Sequence, residues 1–225
     1  MAVLHQYAFC PHSRFIRLSL AEMGIPSEIA EEKPWERDRR FLELNPSGTT
    51  PVLCEDDLAV PGAGVIAEYL DETRGPRLNG RRLLPADPAV RVEVRRLVEW
   101  FNTKFFEEVT SYLLEEKILK RFQRGASPDA SAIRAARANM RYHMRYIGYL
   151  AGARKWLAGD TLTYADLAAA AHLSCADYLG DVPWDEDEHA KDWYARVKSR
   201  PAFRPLLGER IPGVIPPQHY ADLDF

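Results

Sequence analysis

Cysteine is scarce in this 225-residue chain. Cys10, Cys54 and Cys175 are too few and too scattered for a disulfide framework or a zinc site, so they are expected as reduced thiols and no metal is expected. Long apolar runs are missing too. None approaches the roughly 18 residues that cross a bilayer, and the N-terminus has no basic segment followed by an apolar signal core. Membrane insertion and export are therefore not expected, and the chain reads as cytoplasmic. A strong excess of one charge is also absent: 30 Lys and Arg against 33 Asp and Glu leave a formal charge of −3, which argues against nucleic acid as a partner.

What is present is enough apolar material, 46% of residues, to fill real cores in one large domain or two modest ones. Val3 to Phe9 reads as a buried strand, and Pro11 to Gly24 as a helix with Phe15, Leu18 and Met23 at roughly helical spacing and glycine at the stop. Ser27 to Glu31 supplies a second strand. Pro51 to Cys54 and Leu58 to Val60 form a hairpin around the Glu55-Asp56-Asp57 turn, and Gly62 to Thr73 a closing helix. Arg74 to Pro88 is rich in Gly, Pro and Arg and reads as a linker.

Beyond Pro88 no segment reads as a strand. Ala89 to Phe122, Ala130 to Ala151, Thr163 to Leu179 and Glu188 to Ser199 read as helices, so the class is α+β with an all-helical second domain. The expected division is 1–75, a linker over 76–88, a helical domain over 89–208 and a tail over 209–225. Thr163 stands three residues before Asp166, the spacing of a capping box with Asp in the usual Glu or Gln place, a structural device that contributes about 0.5 to 2 kcal/mol.

Several ordered motifs share one frame: CPHSRFIRLSLAEMGI, WERDRRFLELNPSG, TTPVL and VIAEYLDE in the first 75 residues, then LLPADP and LAGDTLTYADLAAAAHL. Together they resemble the soluble glutathione transferases. The resemblance covers nearly the whole chain and implies a thioredoxin-like N-terminal domain followed by an all-α domain, with Pro51 in cis.

Cys10 opens the first helix in Cys10-Pro11-His12-Ser13, where amide dipoles lower a thiol pKa. It reads either as a nucleophile or as a small side chain filling the strand-to-helix turn. The resemblance implies that the group meeting the glutathione sulfur stands near Cys10 in Cys- and Ser-type enzymes, and makes Tyr7 a rival. It also implies an acidic and a hydroxyl residue where Gly62 and Ala63 stand, holding the γ-glutamyl end of glutathione. Neither residue does this with a side chain, and losing one charge-assisted hydrogen bond costs about 1.5 to 3 kcal/mol. Productive glutathione binding is therefore expected to be lost, with no cofactor, unless Asp56 or Asp57 substitutes.

Arg134, Arg137, Arg141 and Arg145 line one face of a helix whose other side carries Ile133, Met140, Met144 and Ile147. The stripe is a solvated face, a partner of Glu107, Glu108, Glu115 and Glu116, or a docking face of the kind translation-associated modules of this fold use. After Pro205 the chain runs through GERIPGVIPPQHYADLDF, where aromatic and apolar anchors alternate with acids. That segment reads equally as a strap laid back along the domain or as a partner-binding tail. With the Gly-Ala replacement, it resembles the FtsZ-localised branch of the family. The branch implies a non-enzymatic homodimer that binds filaments of the tubulin-like division protein FtsZ and is recruited to the division site. The implied contact residues are His219, Tyr220, Asp222, Leu223, Asp224 and Phe225 in the tail, and Tyr112 and Glu116 on the helical wall of the inter-domain cleft. The alternative is a glutathione-dependent thiol transferase using Cys10.

Overall fold

Alternate residues of the opening strand, Ala2, Leu4 and Gln6, are buried, and this strand lies at the interior of the sheet. The computed structural model describes residues 2–78, 81–123 and 125–223. Asp224 and Phe225, named as tail contacts, lie outside the described residues. Strand β1 (Ala2–Gln6) is followed by α1 (Pro11–Met23), β2 (Ser27–Glu31), α2 (Arg39–Leu44), β3 (Val52–Glu55), β4 (Leu58–Pro61) and α3 (Ala63–Arg74). The four-stranded sheet has the order β2-β1-β3-β4, with β1 parallel to β2 and antiparallel to β3. This is the thioredoxin-like arrangement. The Thr50–Pro51 bond is cis.

Two local differences from the sequence reading have clear causes. The first strand ends at Gln6 rather than Phe9, because the Cys10 amide turns back to donate to the Tyr7 carbonyl at 2.9 Å. Helix α2 is additional; Asp38 caps it by accepting from the amides of Arg40 and Phe41. Helix α1 ends where expected, with Gly24 at φ 70°, a left-handed conformation that glycine adopts without strain.

The second half is helical among the described residues. Helix α4 (Pro88–Glu99), capped by Asp87, runs on without a break through a π-helical stretch (Trp100–Thr110), α5 (Ser111–Leu114), a second π-helical stretch (Glu115–Leu119) and α6 (Lys120–Phe122). Helices α7 (Ala130–Ala153), α8 (Tyr164–Tyr178), α9 (Glu188–Lys198) and α10 (Arg204–Leu207) complete it. Every residue of α8 is buried, so it is the central post against which α1, α4 and α9 pack. Asp166 starts that post: it accepts from the Thr163 amide at 3.0 Å, the capping-box contact, and also from Leu157 N at 2.8 Å and Trp193 Nε1 at 2.9 Å.

The four arginines of the stripe are exposed, as on a solvated face, and two of them pair, though not with the acids of the preceding helix. Arg137 bonds Asp181 and Arg141 bonds Glu186, both beyond α8, while Glu108 is taken by Lys104 and His143 and Glu116 by Lys120. Helix α7 turns Arg137 and Arg141 toward the α8–α9 connection.

After α10 the chain is a strap. Ile211 N donates to Tyr178 Oη at 2.9 Å, Tyr178 Oη donates to the Val214 carbonyl at 2.7 Å, and Lys198 Nζ holds the His219 carbonyl at 2.7 Å. Tyr220 is fully buried and donates to the Leu206 carbonyl at 3.0 Å. The prolines that kept the tail out of a helix thus lay it along the helical half.

Candidate functional site

A cavity of about 770 Å³ lies between the sheet-bearing and helical halves. Its floor is the turn from β1 into α1, with Tyr7, Phe9, Cys10 and His12, and the start of α3, with Gly62 and Ala63. The opposing wall is the π-helical rod, which contributes Phe106, Tyr112, Leu114, Glu116 and Ile118. The structure therefore brings Cys10, Tyr7, Tyr112 and Glu116 into one cleft. Trp35, half-exposed at its rim, meets the Tyr7 ring edge-on at 5.1 Å and was not singled out from sequence.

Cys10 is the N-cap of α1, and its Sγ lies 3.6 Å from the Thr50 carbonyl, to which the thiol donates. The first intrahelical bond runs from Arg14 N to Cys10 O, so the amides of His12 and Ser13 have no intrahelical acceptor and Cys10 sits at the positive end of the helix dipole. Burial pushes the Cys10 thiol up, but hydrogen bonding and charge from His12, with help from Ser13 and Thr50, outweigh it and bring the pKa to about 7. Burial alone would keep His12 neutral; contact with Cys10 and the Asn102 carbonyl at 2.8 Å raises it instead. Because a carbonyl only accepts, His12 Nε2 is the protonated donor there. Tyr7 goes the other way: burial, reinforced by nearby Cys175, pushes it up to about 12. The environment thus lowers the Cys10 thiol and raises the Tyr7 phenol.

At the N-terminus of α3, Gly62 has φ 87° and offers no side chain, and Ala63 is buried. Asp56 and Asp57 do not fill the vacancy; they line a separate groove with Glu55, Tyr69 and Arg74. The acid and hydroxyl that the resemblance implies at these two positions are thus missing, and the hydroxyls that line the cavity, Thr49, Thr50 and Ser111, belong to other segments. Carboxylates stand on the opposing wall, Glu115 and Glu116, and the Asp129 amide and Lys120 hold the Glu116 carboxyl below its usual range.

The tail residues sit elsewhere. His219 and Asp222 border a shallower groove with Trp184, Asp185 and Lys191 that shares no lining residue with the cleft. His219 Nε2 is 3.0 Å from Asp177 Oδ1, Asp222 is exposed and Leu223 half-buried. Burial of Tyr220 makes it the anchor of the strap rather than a surface contact. The two places are nonetheless joined: Phe9 on the cleft floor meets Tyr178 at 4.7 Å, and Tyr178 meets Tyr220 at 5.1 Å. Arg14 braces the same region, its guanidinium 4.2 Å from the Phe9 ring centroid and bonded to Ser174 and Glu209.

Behind the floor, the π-helical stretch meets a row of histidines. His172 is fully buried, its Nδ1 3.1 Å from Thr110 Oγ1 and its ring 5.2 Å from that of His12. Burial, then the nearby His12 and His143, holds His172 far below the ordinary histidine range. The unfolded chain therefore binds a proton below about pH 6.5 that the folded chain refuses, and stability falls as the pH falls, by about 1.4 kcal/mol in all between pH 7.5 and 5.5 for this one group, most of it below pH 6.5. Urea unfolding at pH 7.5, 6.5 and 5.5 is expected to show this slope, and His172→Asn to flatten it by about that amount. An unchanged slope in the variant would mean that other groups carry the dependence.

Comparison with known proteins agrees with this architecture. Residues 9–73 match the family described as glutathione S-transferase, N-terminal domain, and residues 109–201 the corresponding C-terminal domain. The FtsZ-localized protein A of Caulobacter vibrioides is 46% identical over 227 residues, covering 99% of this chain and 97% of that protein. A solved structure of FzlA from C. crescentus superposes with a TM-score of 0.94 at 45% identity, over 100% of this chain and 99% of the other. A solved structure described as a glutathione S-transferase from Sinorhizobium meliloti 1021 gives 0.96 at 52% identity, with full coverage of both chains.

Proposed function

The chain belongs to the glutathione S-transferase family, and from that premise we propose that it is a non-enzymatic regulator of cell division that binds FtsZ filaments. One observation carries the reading: the cleft keeps its shape and its aromatic lining, yet has Gly62 and Ala63 where glutathione would be held. Full-length similarity to a protein named for its localisation with FtsZ supports the choice of partner. In this reading the protein is a cytoplasmic homodimer recruited to the division site. Two weak contacts per dimer on a multivalent filament would gain about 10²- to 10⁴-fold in avidity. The contact residues are the exposed Tyr112 on the cleft wall, with the buried Glu116 behind it, and Asp222, Leu223, Asp224 and Phe225 of the tail, with His219 beside them.

Co-sedimentation with GTP-assembled FtsZ tests this. The full chain is expected to pellet, and Tyr112→Ala or a chain ending at Ala221 to pellet at least tenfold less. Ending at Ala221 retains the buried Tyr220 and the Lys198 contact to the His219 carbonyl but removes Asp222, whose amide bonds the same carbonyl, so a loss of pelleting reports on binding when the truncated chain melts with the parent. A full chain that stays in the supernatant overturns the proposal.

The lowered Cys10 pKa favours a second reading, a thiol transferase that forms a mixed disulfide with glutathione. It predicts glutathione-dependent turnover of a small disulfide that Cys10→Ala abolishes. Filament pelleting that survives Cys10→Ala, with no turnover, separates the two.

A further inference from the structure

Helix α7 carries four arginines in 24 residues and no aspartate or glutamate. One side of it, with Met140, His143, Met144 and Ile147, is buried in the core. On the other side Ala135, Ala138, Tyr142, Arg145, Tyr149 and Gly152 are all exposed, at alternating steps of three and four residues. That is the spacing of a helix-packing seam, here about 26 Å long and uncovered. Tyr149 is 73% exposed and Tyr142 55%, and neither hydroxyl has a hydrogen bond among the described residues. Tyrosine and arginine are the side chains over-represented among the few that carry most of the binding energy at an interface. The small residues at Ala135, Ala138 and Gly152 let a second backbone come close.

Charge narrows the choice of what covers this seam. Asp181 and Glu186 pair with Arg137 and Arg141, but Arg134 and Arg145 make no ion pair among the described residues. The acids that meet α7 from the flanking elements are taken, Glu108 by Lys104 and His143 and Glu186 by Arg141. The edge of the seam therefore carries uncompensated positive charge in a chain whose formal charge is −3. A second copy is a poor occupant, because two such faces would set arginine against arginine. Nucleic acid is a poor one as well, since a few arginines on an acidic chain make no extended basic field.

We propose that the exposed face of α7 is a docking surface for an acidic amphipathic helix of a partner protein. Its apolar stripe covers Tyr142 and Tyr149, and its carboxylates meet Arg134 and Arg145. The two tyrosines stand seven residues apart, about 10.5 Å along the axis, which matches anchors two turns apart on the incoming helix. The inference does not rest on FtsZ binding or on the cleft, because none of the seam residues lines that cavity. Failure of filament pelleting would leave it standing.

The probe is an acetylated and amidated helical peptide of about 18 residues, long enough for the 26 Å seam, with leucines at three- and four-residue spacing and glutamates flanking them. Its counterpart has lysine in place of every glutamate. Binding to the intact chain is followed by fluorescence anisotropy and located by backbone amide chemical shifts. The glutamate peptide is expected to bind at least about tenfold tighter than the lysine peptide, to weaken about threefold or more between 50 and 300 mM salt, and to shift the amides of 134–152. Tyr149→Ala and Arg145→Glu are each expected to weaken it about tenfold while the melting temperature stays that of the parent, since both side chains are exposed. Equal affinity for the two peptides, shifts that map to the cleft, or affinity unmoved by both substitutions would overturn the docking surface. Tighter binding of single-stranded RNA or of phosphatidylglycerol vesicles through the same residues would overturn the partner class, and a change in self-association on Tyr149→Ala would give the face to a second copy instead.

Discussion

Gly62→Glu together with Ala63→Ser is expected to raise glutathione affinity by about tenfold to a few hundredfold, measured by titration calorimetry. The two side chains would restore a carboxylate for the γ-glutamyl ammonium and a hydroxyl for its carboxylate at the N-terminus of α3. Each charge-assisted hydrogen bond contributes about 1.5 to 3 kcal/mol, and a tenfold change in affinity is about 1.4 kcal/mol. Two terms reduce the gain. Gly62 has φ 87°, so glutamate there carries backbone strain of about 1 to 3 kcal/mol, although the space its Cβ would enter is open. The carboxylates of Glu115 and Glu116 across the cleft also disfavour an anionic ligand. No gain in affinity would mean that the missing side chains are not what keeps glutathione out, and would weaken the non-enzymatic reading at its main support.

That experiment rests on a vacancy the sequence made visible. The frame around Gly62 and Ala63 is local: β4, a tight turn and the start of α3 are contiguous, so motif spacing alone locates the missing side chains. Helix α1 and the box at Thr163 and Asp166 were legible for the same reason, since their start and stop signals lie within a few residues. The α2 helix was not. It is six residues long, carries Phe41 as its one buried side chain, and is held by Asp38 more than by any apolar period. The pairing of Arg137 and Arg141 was equally hidden, because Asp181 and Glu186 are remote in sequence and only the packing of α7 beside the α8–α9 connection brings them near. Cys10 showed its helix position in the sequence, but not the His12 proton on the Asn102 carbonyl, a contact across 90 positions. Composition showed that the tail carried anchors; only the fold shows Tyr220 pointing inward.

Tyr220→Ala is expected to lose about 3 to 5 kcal/mol of stability, the ordinary range for removing a fully buried large aromatic side chain, and to lower the melting temperature by about 6 to 20 °C. The tyrosine sits against Tyr178, donates to the Leu206 carbonyl, and lies one residue from the His219 carbonyl that holds Lys198. Lys198 and Asp177 are both fully buried, with His219, Trp184 and Tyr194 on the Asp177 carboxylate. Releasing the strap would therefore strip partners from two buried charges as well as open a hole. The effect should also reach the cleft, because Tyr178 is the ring on which Phe9 rests. Tyr220→Phe, which keeps the packing and removes one hydrogen bond, is expected to lose only about 1 to 3 kcal/mol. If Tyr220→Ala unfolds at the same temperature as the parent, the strap is not seated as described. If it is destabilised while a chain ending at Ala221 is not, the strap divides at that point: Tyr220 holds the fold, and the residues after it are left to bind.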